Sequence, residues 1–213
     1  RLLRYFPSAH IHFAPHTDID SGTHTPCPEP QPISKHAHLR VLVIGAVNEV
    51  KGGDILEATA IEAARMNAPI EFHLMGYAHR ALATQPRASL SVHGPYQDID
   101  LPRLLQRMKP DLVWFPAQWP ETYSYTLSAC LQAGVPIAAP NLGAFPERLA
   151  TRRWTWLMPW NTSPRDWLDL FISLRERNFQ TIDEPSAAPS YPAADEDTLI
   201  QPWSYQTDYL RHL

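Results

Sequence analysis

The chain has 213 residues, enough for one large domain or one and a half small ones. Its formal net charge of −4 gives no basic surface for nucleic acid. No run of 18 apolar residues and no signal peptide are recognisable, so we expect neither a transmembrane helix nor export. Two cysteines, Cys27 and Cys130, are too few for a disulfide scaffold and favour a reducing, cytoplasmic compartment.

Proline is concentrated towards both ends of the chain, which contains 22 prolines in all. Such composition is typical of extended connectors. We therefore predict a proline-rich connector at 1–36, a folded domain at 37–180 and a tail with a short helix at 181–213. Because the chain begins with Arg1 rather than methionine, we expect it to be a piece of a longer protein.

Between these ends, apolar runs that predict strands alternate with segments that predict helices. The runs occupy 39–45, 69–76, 88–94, 111–116, 135–140 and 154–159. This alternation with short connections predicts a single Rossmann-like α/β domain, with a parallel sheet of about six strands and helices on both faces. Ligands of such sheets bind outside the carboxyl ends of the strands, so the loops there are the candidate site.

The helices between these strands have their own sequence signals. A glycine at 134 predicts the end of a helix at 122–134, and Asp98 or Asp100 is positioned to cap a helix that begins near Leu101. The apolar spacing of the first helix predicts its buried face. That face consists of Ile55, Ala58, Ile61 and Ala64.

The loop after the first strand, 45–54, contains Lys51 and Gly52 where a helix begins. It matches neither the dinucleotide nor the Walker glycine pattern. Backbone N–H groups at a helix start together with a lysine can bind phosphate, although a surface lysine beside a flexible turn fits equally well. In the loop after the third strand, Tyr96 can stack on a base or simply pack locally. His93 is interpreted as a histidine at the end of that strand.

The loop after the fourth strand places Glu121, Thr122 and Ser124 at the start of a helix. The free N–H groups and the dipole there suit an anion, but either hydroxyl could merely cap the helix. After the fifth strand, Glu147 and Arg148 fit a local ion pair or a helix-start charge.

Histidines cluster near the start of the chain. His10 and His12 lie on one side of a possible strand, with His16 nearby. Two histidines on one face can hold a metal, yet no acidic or thiol partner has matching spacing, so we expect no metal site.

Five segments together carry a resemblance to a known family. In order and spacing, they resemble the C-terminal half of group-1 glycosyltransferases with the GT-B fold, over about residues 38–178. The stretch PETYSYTLS resembles a branch of that family involved in bacterial polysaccharide synthesis. The segments are 45–56, 72–76, 92–105, 110–128 and 133–149.

The resemblance implies two facing Rossmann-like domains, of which the C-terminal one holds a nucleotide sugar. It implies that Lys51 contacts the donor diphosphate and that Glu121 lies near the donor sugar, and these two are the candidate catalytic residues. The residues three and four positions after that glutamate would offer backbone N–H groups to the phosphate, and Tyr96 would lie near the base. The candidate substrate-binding residues are Gly45, Ala46, Gly52, Tyr96, Thr122, Tyr123, Ser124, Tyr125 and Ala129.

Two positions depart from the family pattern. Ala46 stands where the family often has an arginine, and Ala129 stands where the second glutamate of its Glu–x7–Glu pattern would contact the ribose. On a helical wheel position 129 lies with Tyr125 and Gln132, opposite Leu127 and Leu131. Ala129 therefore resembles a missing ribose ligand.

The family implies a retaining transfer of sugar from a nucleoside diphosphate to an acceptor hydroxyl. We expect the nucleotide sugar as donor substrate, no cofactor and no metal, since the lysine and the helix dipole would neutralise the phosphate. The acceptor domain would be missing, so we expect the isolated chain to be inactive. The expected location is cytoplasmic, with attachment to the inner membrane through the missing domain as an option. Two alternatives stay open: a degenerate, non-catalytic nucleotide-binding or interaction module, and a GT-B-like sugar-nucleotide epimerase.

Overall fold

The computed structural model of the chain describes residues 5–8 and 25–179. The chain divides into two units, one of residues Ser21–Pro189 and one formed by Arg1–Asp20 with Ser190–Leu213. All strands and helices given below belong to the first unit. The predicted tail at 181–213 and the three histidines His10, His12 and His16 lie outside the described residues.

Six strands form one sheet in which every pairing between neighbours is parallel. Their spatial order is β3-β2-β1-β4-β5-β6, so the predicted parallel sheet of about six strands is confirmed. The strand order reverses between β1 and β4, which is the switch point at which such sheets bind ligands. The strands are β1 Leu39–Val47, β2 Ile70–Ala78, β3 Leu90–Val92, β4 Leu112–Trp114, β5 Ile137–Pro140 and β6 Thr155–Met158.

Five α-helices connect or follow these strands. The first packs against the fifth, and the second packs against the third. The rule that such crossovers are right-handed assigns these two pairs to opposite faces of the sheet, as the predicted architecture requires. No helix in the described part of the chain is both long and apolar enough to cross a membrane. The helices are α1 Gly53–Arg65, α2 Leu101–Met108, α3 Tyr125–Gln132, α4 Ala144–Leu149 and α5 Pro164–Arg177, with a 3-10 turn at Asp98–Asp100.

The core on one face of the sheet is aromatic. Trp114 of β4 is fully buried, with its ring centroid 5.3 Å from that of Trp167 and 5.1 Å from that of Phe171, both on α5. Phe72 of β2 adds a further ring, 5.9 Å from Trp114. Rings at these separations add contact energy beyond their burial, and they fix α5 against the middle of the sheet.

The segment 25–38, which precedes β1, has no regular secondary structure but is held against the end of α5. The Ile33 N–H donates to Asn178 Oδ1 at 2.6 Å, and the Ile33 side chain is buried. The Arg175 guanidinium donates to the carbonyls of Ser34, Lys35 and Ala37 at 2.8–3.0 Å. This part of the proline-rich region is therefore extended and packed on the domain.

The buried face of α1 differs from the prediction by one position along the helix. Leu56 and Ala60 are fully buried, whereas Ile61, predicted to be inside, is 41% exposed. The neighbouring Thr59 is also buried, and its hydroxyl donates to the Ile55 carbonyl at 2.7 Å. A threonine whose hydroxyl is bonded to its own helix can face the core.

Two helix starts also differ in detail. Asp100 occupies the N-cap of α2, but its carboxylate bonds to Arg103 at 3.0 Å and makes no capping hydrogen bond. Helix α3 begins at Tyr125 rather than at 122, because Ser124 has a φ of 70° and lies outside the helix as its N-cap. Ser124 Oγ accepts from the Leu127 N–H, so the capping alternative for this serine is confirmed.

The observed α1 face leads to a stability prediction. Leu56→Ala should lower the free energy of unfolding by about 2–5 kcal/mol, since it removes a fully buried side chain. Ile61→Ala on the exposed side of the same helix should change it by about 0.5 kcal/mol or less. Urea unfolding of both variants measures this difference. A larger loss for Ile61→Ala than for Leu56→Ala would mean that the helix faces the sheet as the apolar spacing alone suggested.

Candidate functional site

A cavity of about 370 Å³ lies at the carboxyl edge of the sheet, at the switch point between β1 and β4. The end of β1, the loop after β4 and the start of α3 form most of its wall. Its lining residues are Val43, Ile44, Gly45, Ala46, Val47, Lys51, Tyr96, Asp98, Trp114, Phe115, Pro116, Ala117, Glu121, Thr122, Tyr123, Ser124, Tyr125, Thr126 and Phe145.

Lys51 projects into this cavity from the loop between β1 and α1. Its backbone N–H donates to Asn48 Oδ1 at 2.9 Å, which fixes the turn. The next residue, Gly52, has a φ of 81°, and a Cβ there would lie 2.0 Å from the Pro116 carbonyl oxygen. Only glycine allows so close an approach in this conformation, so Gly52 is what lets the Lys51 loop pack against the loop after β4.

Lys51 and Glu121 face each other across the cavity. Lys51 Nζ lies 3.5 Å from Glu121 Oε1, with the lysine side chain half exposed and the glutamate side chain mostly covered. An ion pair this open contributes at most about 1 kcal/mol. An incoming anion can therefore replace the carboxylate as the partner of Lys51 at little cost, which leaves Glu121 available for a neutral, hydroxyl-rich group beside the anion.

The backbone of Glu121 is fixed by the loop that follows β5. The Ala144 N–H donates to the Glu121 carbonyl at 2.8 Å. The preceding Gly143 has a φ of 61°, and a Cβ there would lie 2.5 Å from the same carbonyl oxygen and 2.6 Å from the Glu121 nitrogen. The glycine thus allows two loops from neighbouring strands to touch, and that contact sets where the Glu121 carboxylate lies.

Arg148 of α4 binds the chain just before α3. Its Nη1 donates to the carbonyls of Tyr123 and Ser124 at 2.8 and 2.9 Å, and its Nη2 donates to Ser128 Oγ at 2.7 Å. The guanidinium carbon lies 3.9 Å from the centroid of the Tyr123 ring, within cation–π distance.

Tyrosine side chains form part of the cavity wall. The rings of Tyr123 and Tyr125 meet edge to face with centroids 5.3 Å apart. Burial, reinforced by the charge of nearby Asp98, raises the pKa of Tyr96 above its usual value. The Tyr96 hydroxyl therefore stays protonated at neutral pH and can donate a hydrogen bond, while its ring offers a surface for stacking.

Nine of the eleven predicted site residues line the cavity. The other two are Gly52, which is buried against Pro116 as described, and Ala129, which lies one turn beyond Tyr125 on α3 and is not part of the lining. Two features of the site were not predicted from the sequence. Asp98, considered there only as a helix cap, lines the cavity. Arg148, considered there as a partner for Glu147, binds the carbonyls of Tyr123 and Ser124.

Among residues 5–8 and 25–179, one group of possible metal ligands lies outside the cavity. Glu49, Asp54 and His79 each bring one ligand atom within 4.8 Å of the others, and all three residues are exposed. Asp54 is already paired with Arg80, which also binds Glu57. The Arg80 pairing accounts for Asp54 as a structural link between α1 and the loop after β2, so this group does not call for an ion.

No protein-family model matches the chain, and no curated protein matches it. Solved structures do. HepE of Anabaena in complex with UDP is 18% identical with a TM-score of 0.53, over 68% of this chain and 41% of that one. The complex of HepE with UDP-glucose is 17% identical with a TM-score of 0.51, over 65% and 39%.

The chain thus spans about two fifths of the HepE length, and at these identities the likeness shows the fold. Structural neighbours of the chain are GT-B group-1 glycosyltransferases. The predicted fold class, a Rossmann-like half of the GT-B type, is therefore confirmed.

The contact of Gly143 with Glu121 leads to a second stability prediction. Alanine at 143 would be strained by its positive φ, at about 1–3 kcal/mol, and would also displace the Glu121 backbone, at about 1–3 kcal/mol more. Gly94→Ala is the matched control, because Gly94 has a φ of 82° but nothing within 4 Å of its added Cβ. Urea unfolding should show a larger loss for Gly143→Ala than for Gly94→Ala. Equal losses would mean that the two loops do not touch as described.

Proposed function

We propose that the chain is the donor-binding part of a retaining glycosyltransferase, which transfers a sugar from a nucleoside diphosphate to an acceptor hydroxyl in polysaccharide or glycan synthesis. The observation that carries this proposal is the placement of Lys51, Glu121 and the start of α3 around one cavity at the switch point of the sheet. HepE of Anabaena, which has the same fold, is known in complex with UDP and with UDP-glucose.

In this proposal the diphosphate binds between Lys51 and the start of α3. The lysine supplies a charge-assisted hydrogen bond, and the positive end of the helix dipole favours the anion. Both interactions grow stronger as negative charge develops on the departing phosphate, which is the condition for accelerating transfer. The sugar then lies beside Glu121, whose carboxylate accepts hydrogen bonds from sugar hydroxyls once Lys51 has turned to the phosphate.

The tyrosines fit the remaining parts of such a ligand. Tyr96 offers a stacking surface for the base and a hydroxyl that remains protonated. A cavity of about 370 Å³ lies within the usual range for small-ligand sites, about 300–1,000 Å³. In the proposal, a partner domain closes the cavity and supplies the acceptor site. The 213 residues alone should therefore bind a donor without transferring sugar.

A degenerate, non-catalytic module is the second candidate. Ala46 and Ala129 favour it, because each stands where the resemblance leads us to expect a ligand-binding side chain. A donor site that lacks its ribose carboxylate would bind nucleotide weakly. Failure of the chain to bind UDP, GDP or TDP would favour an interaction module over a donor-binding part.

A metal-free mechanism and a cytoplasmic location also belong to the proposal. Lys51 and the dipole of α3 supply positive charge where other enzymes use a cation. The location rests on the sequence resemblance and on the composition of the chain.

Lys51→Ala tests the phosphate assignment. A hydrogen bond from a charged group to phosphate contributes about 1.5–3 kcal/mol, so UDP affinity should fall about ten- to a hundredfold. The melting temperature without ligand should stay nearly unchanged, since Lys51 is half exposed and its open ion pair stabilises little.

Glu121→Gln is the control for this variant, because it removes the same ion pair from the other side. It should leave UDP binding at least as strong as in the wild type, since the carboxylate no longer competes for Lys51. Calorimetric titration of both variants gives the result. A matching loss in both would mean that the ion pair itself, rather than phosphate binding by Lys51, maintains the cavity.

Ala129→Glu tests the ribose assignment. Side chains on a helix tilt towards its N-terminus, so a glutamate at 129 reaches past Tyr125 towards the cavity. Restored bonds to ribose hydroxyls, at about 1.5–3 kcal/mol, should raise affinity about ten- to a hundredfold. The gain should be larger for UDP or GDP, with two ribose hydroxyls, than for TDP, with one. Equal affinities of wild type and variant for all three nucleotides would show that position 129 does not reach the ribose.

A further inference from the structure

The charges around the cavity are poorly matched to a diphosphate. Among the described residues that line it, Lys51 is the only basic one, whereas Glu121 and Asp98 are acidic. A ligand with several negative charges would therefore meet more acidic than basic side chains. Binding such a ligand requires further positive charge or oriented backbone dipoles close behind the wall.

Arg148 supplies both at the wall formed by Tyr123, Ser124 and Tyr125. Its guanidinium lies behind these residues and holds the carbonyls of Tyr123 and Ser124 at 2.8 and 2.9 Å. In a trans peptide the carbonyl and the following N–H point in opposite directions. Fixing these two carbonyls therefore fixes the directions of the next two N–H groups, those of Ser124 and Tyr125, and turns them away from Arg148.

Tyr123, Ser124 and Tyr125 line the cavity and Arg148 does not, and on this basis we assign the N–H groups that point away from Arg148 to the cavity side. Ser124 needs outside support to keep this arrangement. Its φ of 70° and ψ of 92° are rare for a residue with a side chain, and such a conformation persists only when neighbouring contacts impose it. Its own capping bond to the Leu127 N–H is long, at 3.4 Å, and its carbonyl accepts from the Leu127 and Ser128 N–H groups at 3.2 and 3.4 Å. The Arg148 bonds, at 2.8 and 2.9 Å, are shorter than any of these.

We propose that Arg148 is the positioning residue of the diphosphate subsite. Its planar fork holds the peptides after Tyr123 and Ser124 so that their N–H groups face the phosphate, and it adds a second positive charge behind that wall. This inference rests on the function proposed above, and it names the group through which the start of α3 recognises the diphosphate part of the donor.

The geometry of the fork distinguishes this role from simple charge neutralisation. One guanidinium reaches the Tyr123 carbonyl, the Ser124 carbonyl and Ser128 Oγ at 2.7–2.9 Å while it lies over the Tyr123 ring. A lysine at this position would keep the charge, but a single ammonium on a flexible chain does not reproduce the planar set of donors. The lysine variant is therefore the decisive comparison.

The experiment uses the whole chain as wild type, Arg148→Lys and Arg148→Met. Calorimetry measures the affinity for UDP, and an NMR titration measures the weaker binding of uridine, which has the same base and ribose without phosphates. Both variants should bind UDP about tenfold more weakly or worse. The reason is that the hydrogen bonds from the Ser124 and Tyr125 N–H groups to the phosphates are lost, at about 0.5–1.5 kcal/mol each. Uridine binding should not change. If Arg148→Met does not fold, Arg148→Lys carries the test, since it keeps the charge and much of the length of the side chain.

Each other outcome overturns part of the assignment. UDP binding by Arg148→Lys at the wild-type level would show that charge alone suffices and would remove the positioning role. Equal losses for UDP and uridine would show that Arg148 supports the whole cavity rather than the diphosphate subsite. Failure of the wild type to bind UDP would overturn both this inference and the proposed function, whereas wild-type binding with unchanged variants would overturn this inference alone.

Discussion

The parallel pairing of β1 with β4 and of β4 with β5 is the constraint on which the candidate site depends. Parallel strands bring their carboxyl ends to one edge of the sheet, so loops that are 70 to 100 residues apart in the chain meet there. Two glycines then allow actual contact between them. Gly52 seats the loop of Lys51 against Pro116, and Gly143 seats the loop after β5 against Glu121. A side chain at either position would separate the loops and move the ion pair of Lys51 with Glu121 apart.

Much of this architecture could be predicted from the sequence, because strands buried on both sides leave a strong local signal. The apolar runs that end in Gly45 and Gly76 mark β1 and β2, and Pro164 marks the start of α5. The edge of the sheet that carries the cavity follows from the alternation of strands and helices alone. Lys51 and Glu121 were selected from the family resemblance, and the structure places their charged groups 3.5 Å apart.

The parts that could not be predicted are decided by contacts between distant residues. The predicted α1 face was wrong because packing of α1 against α5 and β2 buries Leu56 and Ala60 and leaves Ile61 exposed. Arg148 was interpreted as a local charge because its neighbour in sequence is Glu147, but its hydrogen-bond partners lie 20 to 25 residues earlier in the chain. The positive φ of Ser124 has no sequence signal either, since glycine, asparagine and aspartate are the residues usually found in that conformation.

The same contacts explain how a chain with a net charge of −4 could recognise an anion. Its overall field would repel a nucleotide rather than attract it, and the cavity wall holds two acidic side chains against one lysine. In the proposed function, attraction would therefore act over short distances, through Lys51 and through peptide dipoles whose direction is fixed. Dipoles favour an anion only when they are held in place before it arrives, since reorienting them on binding would consume the energy gained. The hydrogen bonds of Arg148 to Tyr123 and Ser124 hold two such peptides in place, so the phosphate recognition that we propose would be a property of the folded loops rather than of the charge of the domain.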